Sequence, residues 1–145
     1  MDLLIQTKDW TVKEQRYTRQ ILTNLLIIDR DKLFSDLKFP SLHKYLIKEL
    51  GYSEAEATVR VNTVRLMQKS SKARSRVNSG EISLTNASEA NKVIGGSKCE
   101  EYIDTIVGHA TGTTTREFKR LVSSELQVER REVLILNELM IKDFD

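Results

Sequence analysis

Cysteine, histidine, proline and aromatic side chains are all scarce in this chain of 145 residues. A lone cysteine, Cys99, excludes an internal disulfide and points to a reducing compartment. Cys99, His43 and His109 together fall short of the four Cys/His ligands of a structural zinc site, so no metal and no cofactor is expected. A Cys99 nucleophile activated by either histidine has no local signature behind it, and a buried thiol beside two ordinary histidines is the simpler reading. Gly95-Gly96-Ser97-Lys98 lacks the spacing of a phosphate-binding loop, and no strand-like run precedes it. Gly112-Thr113-Thr114-Thr115 fails in the same way and reads better as a helix start. No apolar run approaches the roughly 20 residues of a membrane span. The opening Met1-Asp2-Leu3-Leu4-Ile5-Gln6 has no basic segment ahead of its apolar residues, so it does not read as a secretory signal. These absences lead to the expectation of a soluble, cytoplasmic, non-enzymatic protein.

With 39% hydrophobic and 30% charged residues, the chain is apolar enough to fold. Its length suits one domain, or one domain with a small appendage. One proline and six glycines leave room for long helices. Thr11-Val12-Lys13-Glu14 has the form of a capping box and predicts a helix of about 18 residues with Ile21, Leu22, Leu25, Leu26 and Ile28 on its apolar face. Asp29 to Lys32 is a charged break. Leu33, Phe34 and Leu37 suggest a short helical piece stopped by Pro40. Ser41 caps a helix over Leu42–Leu50, which Gly51 ends. Ser53-Glu54-Ala55-Glu56 is a second capping box and opens a helix to about Lys69. Shorter helices are expected near Lys72–Asn78, from Ser83 to about Val93 and over Lys98–Val107, with another opened by Thr114-Thr115-Arg116-Glu117. Val133-Leu134-Ile135-Leu136 is a continuous apolar run whose periodicity is compatible with a short extended segment or a buried helical turn.

Two helices joined by a tight glycine-containing turn form the skeleton of a helix-turn-helix, here at about residues 42–69. In its second helix Ala57, Val61 and Val64 gather on one side and Val59 and Leu66 on another. Thr58, Asn62, Arg65 and Lys69 form a polar stripe that suits contacts to base edges or phosphates.

The net charge of +2 conceals a polarised chain. Between Arg60 and Arg76 stand six basic residues and no acidic one, interleaved with Ser70, Ser71 and Ser75. Lys44 and Lys48 add a basic pair on the preceding helix. Residues 77–145 carry a net −4. Double-stranded DNA is therefore the expected partner, with Thr58, Asn62 and Arg65 facing the groove. Lys44, Lys48, Lys69, Lys72, Arg74 and Arg76 would grip phosphate. Glu54 stands against this, because it places an acid at the end from which a recognition helix reads bases.

The stretch Pro40-Ser41-Leu42-His43-Lys44-Tyr45-Leu46-Ile47-Lys48-Glu49-Leu50-Gly51-Tyr52-Ser53 continues through Ala57, Arg60, Val61, Arg65 and Leu66. With Ser79-Gly80-Glu81-Ile82-Ser83-Leu84-Thr85-Asn86-Ala87, it resembles the helical N-terminal region of bacterial HNH-endonuclease-like proteins. Thr114-Thr115-Arg116-Glu117-Phe118 is similar to a helix start found downstream in that family. The same order of parts is more loosely similar to the helix-turn-helix region of ParB-type partition proteins. The His-Asn-His set of the nuclease module is missing from this sequence, so the resemblance implies the accessory helical domain alone, a DNA-engaging or oligomerising unit.

The sequence thus predicts an all-α, multi-helix domain over 1–125 with a helix-turn-helix. An apolar segment over 126–145 serves oligomerisation or links to a further domain. Leu139, Met140, Ile141 and Phe144 call for cover by a partner subunit or another domain. The function expected is a DNA-binding regulator, nucleoid-associated if so. The alternatives are a protein-interaction module that forms homo-oligomers through the C-terminal run, or the accessory domain of an HNH nuclease.

Overall fold

A computed structural model describes residues 2–142, and their side chains except at 128–130 and 142. The described chain is all-helical, with no strand among the described residues. Its helices are α1 (Leu3–Arg30), α2 (Leu42–Lys48), α3 (Glu54–Lys69), α4 (Ser71–Ser79), α5 (Leu84–Ile94), α6 (Glu100–Ala110) and α7 (Thr115–Lys142). A short 3-10 helix, Leu33–Leu37, joins α1 to α2.

Four of the five serine and threonine starts read from the sequence are real caps. Ser41 Oγ accepts from the Lys44 amide (3.1 Å), Ser53 Oγ from that of Glu56 (3.2 Å) and Ser83 Oγ from that of Asn86 (3.1 Å). Thr114 Oγ1 accepts from the Glu117 amide (3.2 Å). Each satisfies an amide that would otherwise lack a partner in the first helical turn. Gly51 closes α2 at φ +77°, a conformation that favours glycine. The Leu50 and Tyr52 amides bond back to the Tyr45 and Leu46 carbonyls, so α2 ends at Lys48 and not at Leu50.

Two expectations need correction. The first helix starts at Leu3, capped by Asp2, whose carboxylate accepts from the Leu4 amide (3.0 Å). Thr11 lies inside it, its hydroxyl turned back onto the Thr7 carbonyl (2.9 Å). Nothing between residues 3 and 10 breaks a helix, and a threonine that donates to the carbonyl four residues back is tolerated mid-helix. The second concerns the extended alternative for Val133–Leu136: the run takes the helical one, because α7 continues unbroken from Thr115 to Lys142. Propagating an existing helix adds one hydrogen bond per residue, whereas an extended segment needs a neighbouring strand for its backbone groups. Phe144 lies outside the described residues.

At the centre of the molecule α3 packs against α1, α2, α4 and α5, and α5 in turn meets α6 and α7. Ala57, Val64, Leu66 and Met67 of α3 are fully buried. Leu22 and Leu25 of α1, Leu46 of α2, Ala87 and Ala90 of α5, Ile106 of α6 and Phe118 of α7 complete the core. This core stops short of both ends of the chain. The first buried residue of α1 is Leu22, and the last of α7 among those described is Val122, with Leu126 partly buried against the core.

Candidate nucleic-acid interface and the projecting apolar faces

A helix that reads bases needs an open polar face, and α3 packs against α1, α2, α4 and α5. Three members of its polar stripe turn to neighbouring helices. Arg65 ion-pairs with Asp29 of α1, whose side chain is 6% exposed. Gln68 Nε2 donates to the same carboxylate (2.6 Å), so Asp29 is held from two sides. Lys69 Nζ donates to Asn91 Oδ1 and to the Gly95 carbonyl, both at 2.8 Å, gripping the end of α5. Burial first, and then the neighbouring Arg65 charge, push the Lys69 ammonium below its usual pKa. Asn62 Oδ1 accepts from Asn91 Nδ2 (2.9 Å), so one α5 asparagine serves two stripe residues. Thr58 is exposed, but its hydroxyl donates to the Glu54 carbonyl (2.9 Å) and lies 3.4 Å from His43 Nε2.

The basic band that follows behaves similarly. Lys72 pairs with Asp104 of α6 (3.1 Å). Arg76 donates to Thr111 Oγ1 (3.1 Å). Arg74 wraps onto the Met67 carbonyl through Nε and Nη2 (3.2 and 3.1 Å), bracing the α3–α4 junction. Arg60 lies 4.3 Å over the Tyr52 ring. Of the nine residues singled out for DNA, Arg65, Lys69, Lys72 and Arg76 therefore link separate helices, Arg74 braces a junction, and Asn62 joins the same network. Lys44 and Lys48 are exposed and paired with no carboxylate among the described residues.

The sequence reading passed over Asp29 and Asn91, the two groups that capture the stripe. The signal for Asp29 was present: it falls seven and four residues after Leu22 and Leu25, on the face that packs inward. Among the described residues Cys99 bonds neither histidine, and no cluster of three or more His, Cys, Asp or Glu is placed to hold a metal.

A second feature lies at the ends of the chain. In α7, Val133, Leu134, Ile135, Leu136, Leu139, Met140 and Ile141 are each 53–65% exposed. At about 100° per residue they surround the helix and do not form one stripe. In α1, Leu3, Trp10, Tyr17 and Ile21 share a single exposed face, and Trp10, Tyr17 and Ile21 line a shallow apolar groove along it. No described helix is long and apolar enough to cross a membrane. No family model, curated protein or solved structure matches this chain.

Proposed function

We propose that the chain is a non-catalytic assembly module that associates with a second copy of itself through α7 and the first half of α1. The carrying observation is the stretch Val133–Ile141, whose seven large apolar side chains are spread around the helix and exposed, with only Asn137 and Glu138 polar between them. A helix apolar all round belongs in an interior. Its seven large side chains present on the order of 700 Å² per copy, close to the roughly 800 Å² per partner of a standard interface. The face from Leu3 to Ile21 adds to that area, so two copies hold enough surface to cover each other. The resemblance to the helical region of HNH-endonuclease-like proteins fits a unit that assembles while chemistry resides elsewhere.

Sedimentation velocity over the micromolar range tests this reading. The full chain should sediment as a dimer or larger species, and Leu136→Glu with Met140→Glu should sediment as a monomer with the bundle still folded. A wild-type chain that is monomeric throughout that range contradicts it.

A second reading, DNA binding by a helix-turn-helix regulator, keeps one favourable observation. Lys44 and Lys48 of α2 are open to a phosphate backbone. Asn62, Arg65 and Lys69 could join them only by breaking their bonds to Asp29, Asn91 and Gly95, so their role in base reading carries the cost of opening the bundle.

A further inference from the structure

We propose that the groove between α1 and α4, built on Arg16 and Arg19, binds the phosphodiester backbone of a nucleic acid. This site is separate from the α3 stripe and does not rest on self-association. On α1 the residues Arg16, Arg19, Gln20, Thr23 and Asn24 share one face, and with Asn78 at the end of α4 they line a groove of about 480 Å³. Arg19 is common to a second groove of about 460 Å³, which continues past Ser79 and Gly80 to Ser83 at the start of α5. The two open grooves meet at Arg19.

The charge balance of these grooves sets them apart from the basic band. No carboxylate lines either groove. Among the described residues neither Arg16 nor Arg19 is ion-paired, whereas Arg65 and Lys72 are. Glu81, in the turn between α4 and α5, accepts from the Ser79 hydroxyl (3.1 Å). Arg16 lies 5.7 Å over the Tyr17 ring, a contact that leaves its charge intact. Arg19 is half-buried, and its Nη2 would stand 3.5 Å from a Cβ on Gly80. That is an ordinary contact distance, so it is the left-handed backbone of the turn, at φ +86°, that favours glycine here.

The ligand class follows from the donors. Guanidinium groups offer paired N–H donors to phosphate oxygens, and the Gln20, Asn24 and Asn78 amides add neutral donors beside them. The α1 face from Arg16 to Asn24 covers roughly 12 Å of helix rise. Open grooves suit a polymer running along them more than a small phosphate ester, which an enclosing pocket would hold better. Trp10 and Ile21 line neither groove, while Tyr17, under the Arg16 guanidinium, marks the border between the assembly face and the groove.

Fluorescence anisotropy of a labelled duplex DNA across a salt series tests the proposal, with thermal melting followed in parallel. The full chain should bind at low salt. Arg16→Gln with Arg19→Gln should weaken binding at least tenfold and flatten the log–log salt slope by about 2. Arg19→Lys should weaken binding while keeping the slope, since the charge remains and the paired donors are lost. Lys44→Gln with Lys48→Gln should bind within twofold of wild type. The proposal is overturned if the full chain does not bind the duplex, or if the double arginine variant binds like wild type. Displacement of the duplex by inorganic phosphate at constant ionic strength also overturns it, because that marks a small-anion site.

Discussion

The packed bundle and the two projecting helix halves are made of much the same residues, and they differ in what those residues meet. In α3 and α5 each apolar stripe finds a neighbour, and polar groups on the flanks find each other: Arg65 with Asp29, Lys69 with Asn91. In α7 beyond residue 130 and α1 before residue 17, leucine, isoleucine and tryptophan stand more than half exposed on well-formed helices. Helical hydrogen bonding alone does not require that surface to be covered, but the hydrophobic effect favours covering it. The cations separate the same way. Arg65, Lys69 and Lys72 link helix to helix, while among the described residues Arg16, Arg19, Lys44 and Lys48 have no carboxylate partner.

The comparison can be broken by substitution, and the largest effect should fall on the projecting half of α7. Leu136→Glu with Met140→Glu removes two side chains worth about 1.5–3 kcal/mol each on burial. Association should weaken by at least a hundredfold by sedimentation, while the urea midpoint of the bundle stays in place. Next in size is Arg65→Ala, which leaves a buried carboxylate supported by Gln68 alone. It should cost about 2 kcal/mol in urea denaturation, where a residue facing a DNA groove would cost almost nothing. Caps sharpen the contrast between regions. Ser83→Ala, within the bundle, should cost about 1 kcal/mol. Asp2→Ala, at the open end of α1, should cost much less, because a fraying end contributes little to global unfolding. The smallest effect belongs to Lys44→Ala with Lys48→Ala, expected within about 0.5 kcal/mol of wild type.

Much of the fold was legible because local chemistry decided it. Ser41, Ser53, Ser83 and Thr114 were readable as caps, and Gly51 as the stop after α2. The start of α1 was misplaced because Thr11 and Glu14 satisfy the capping pattern, yet an uninterrupted helix had already begun at Asp2. Periodicity could not decide Val133–Leu136, since an all-apolar run has no period, and the upstream helix settled its conformation. The candidate site was the least legible part. Thr58, Asn62, Arg65 and Lys69 do share a helix face, as their spacing says. Which way that face points depends on Asp29 and Asn91, far off in sequence, and a helical wheel carries no information about them. Arg16 and Arg19 went unremarked because their significance lies in a groove that α4 completes.

Amide hydrogen exchange measured across a concentration series tests the central claim most directly. If α7 and the first half of α1 are assembly surfaces, protection at 133–141 and at 3–17 should rise with concentration while that of α3 and α5 stays constant. Residues 133–141 exchanging rapidly and equally at every concentration would contradict it.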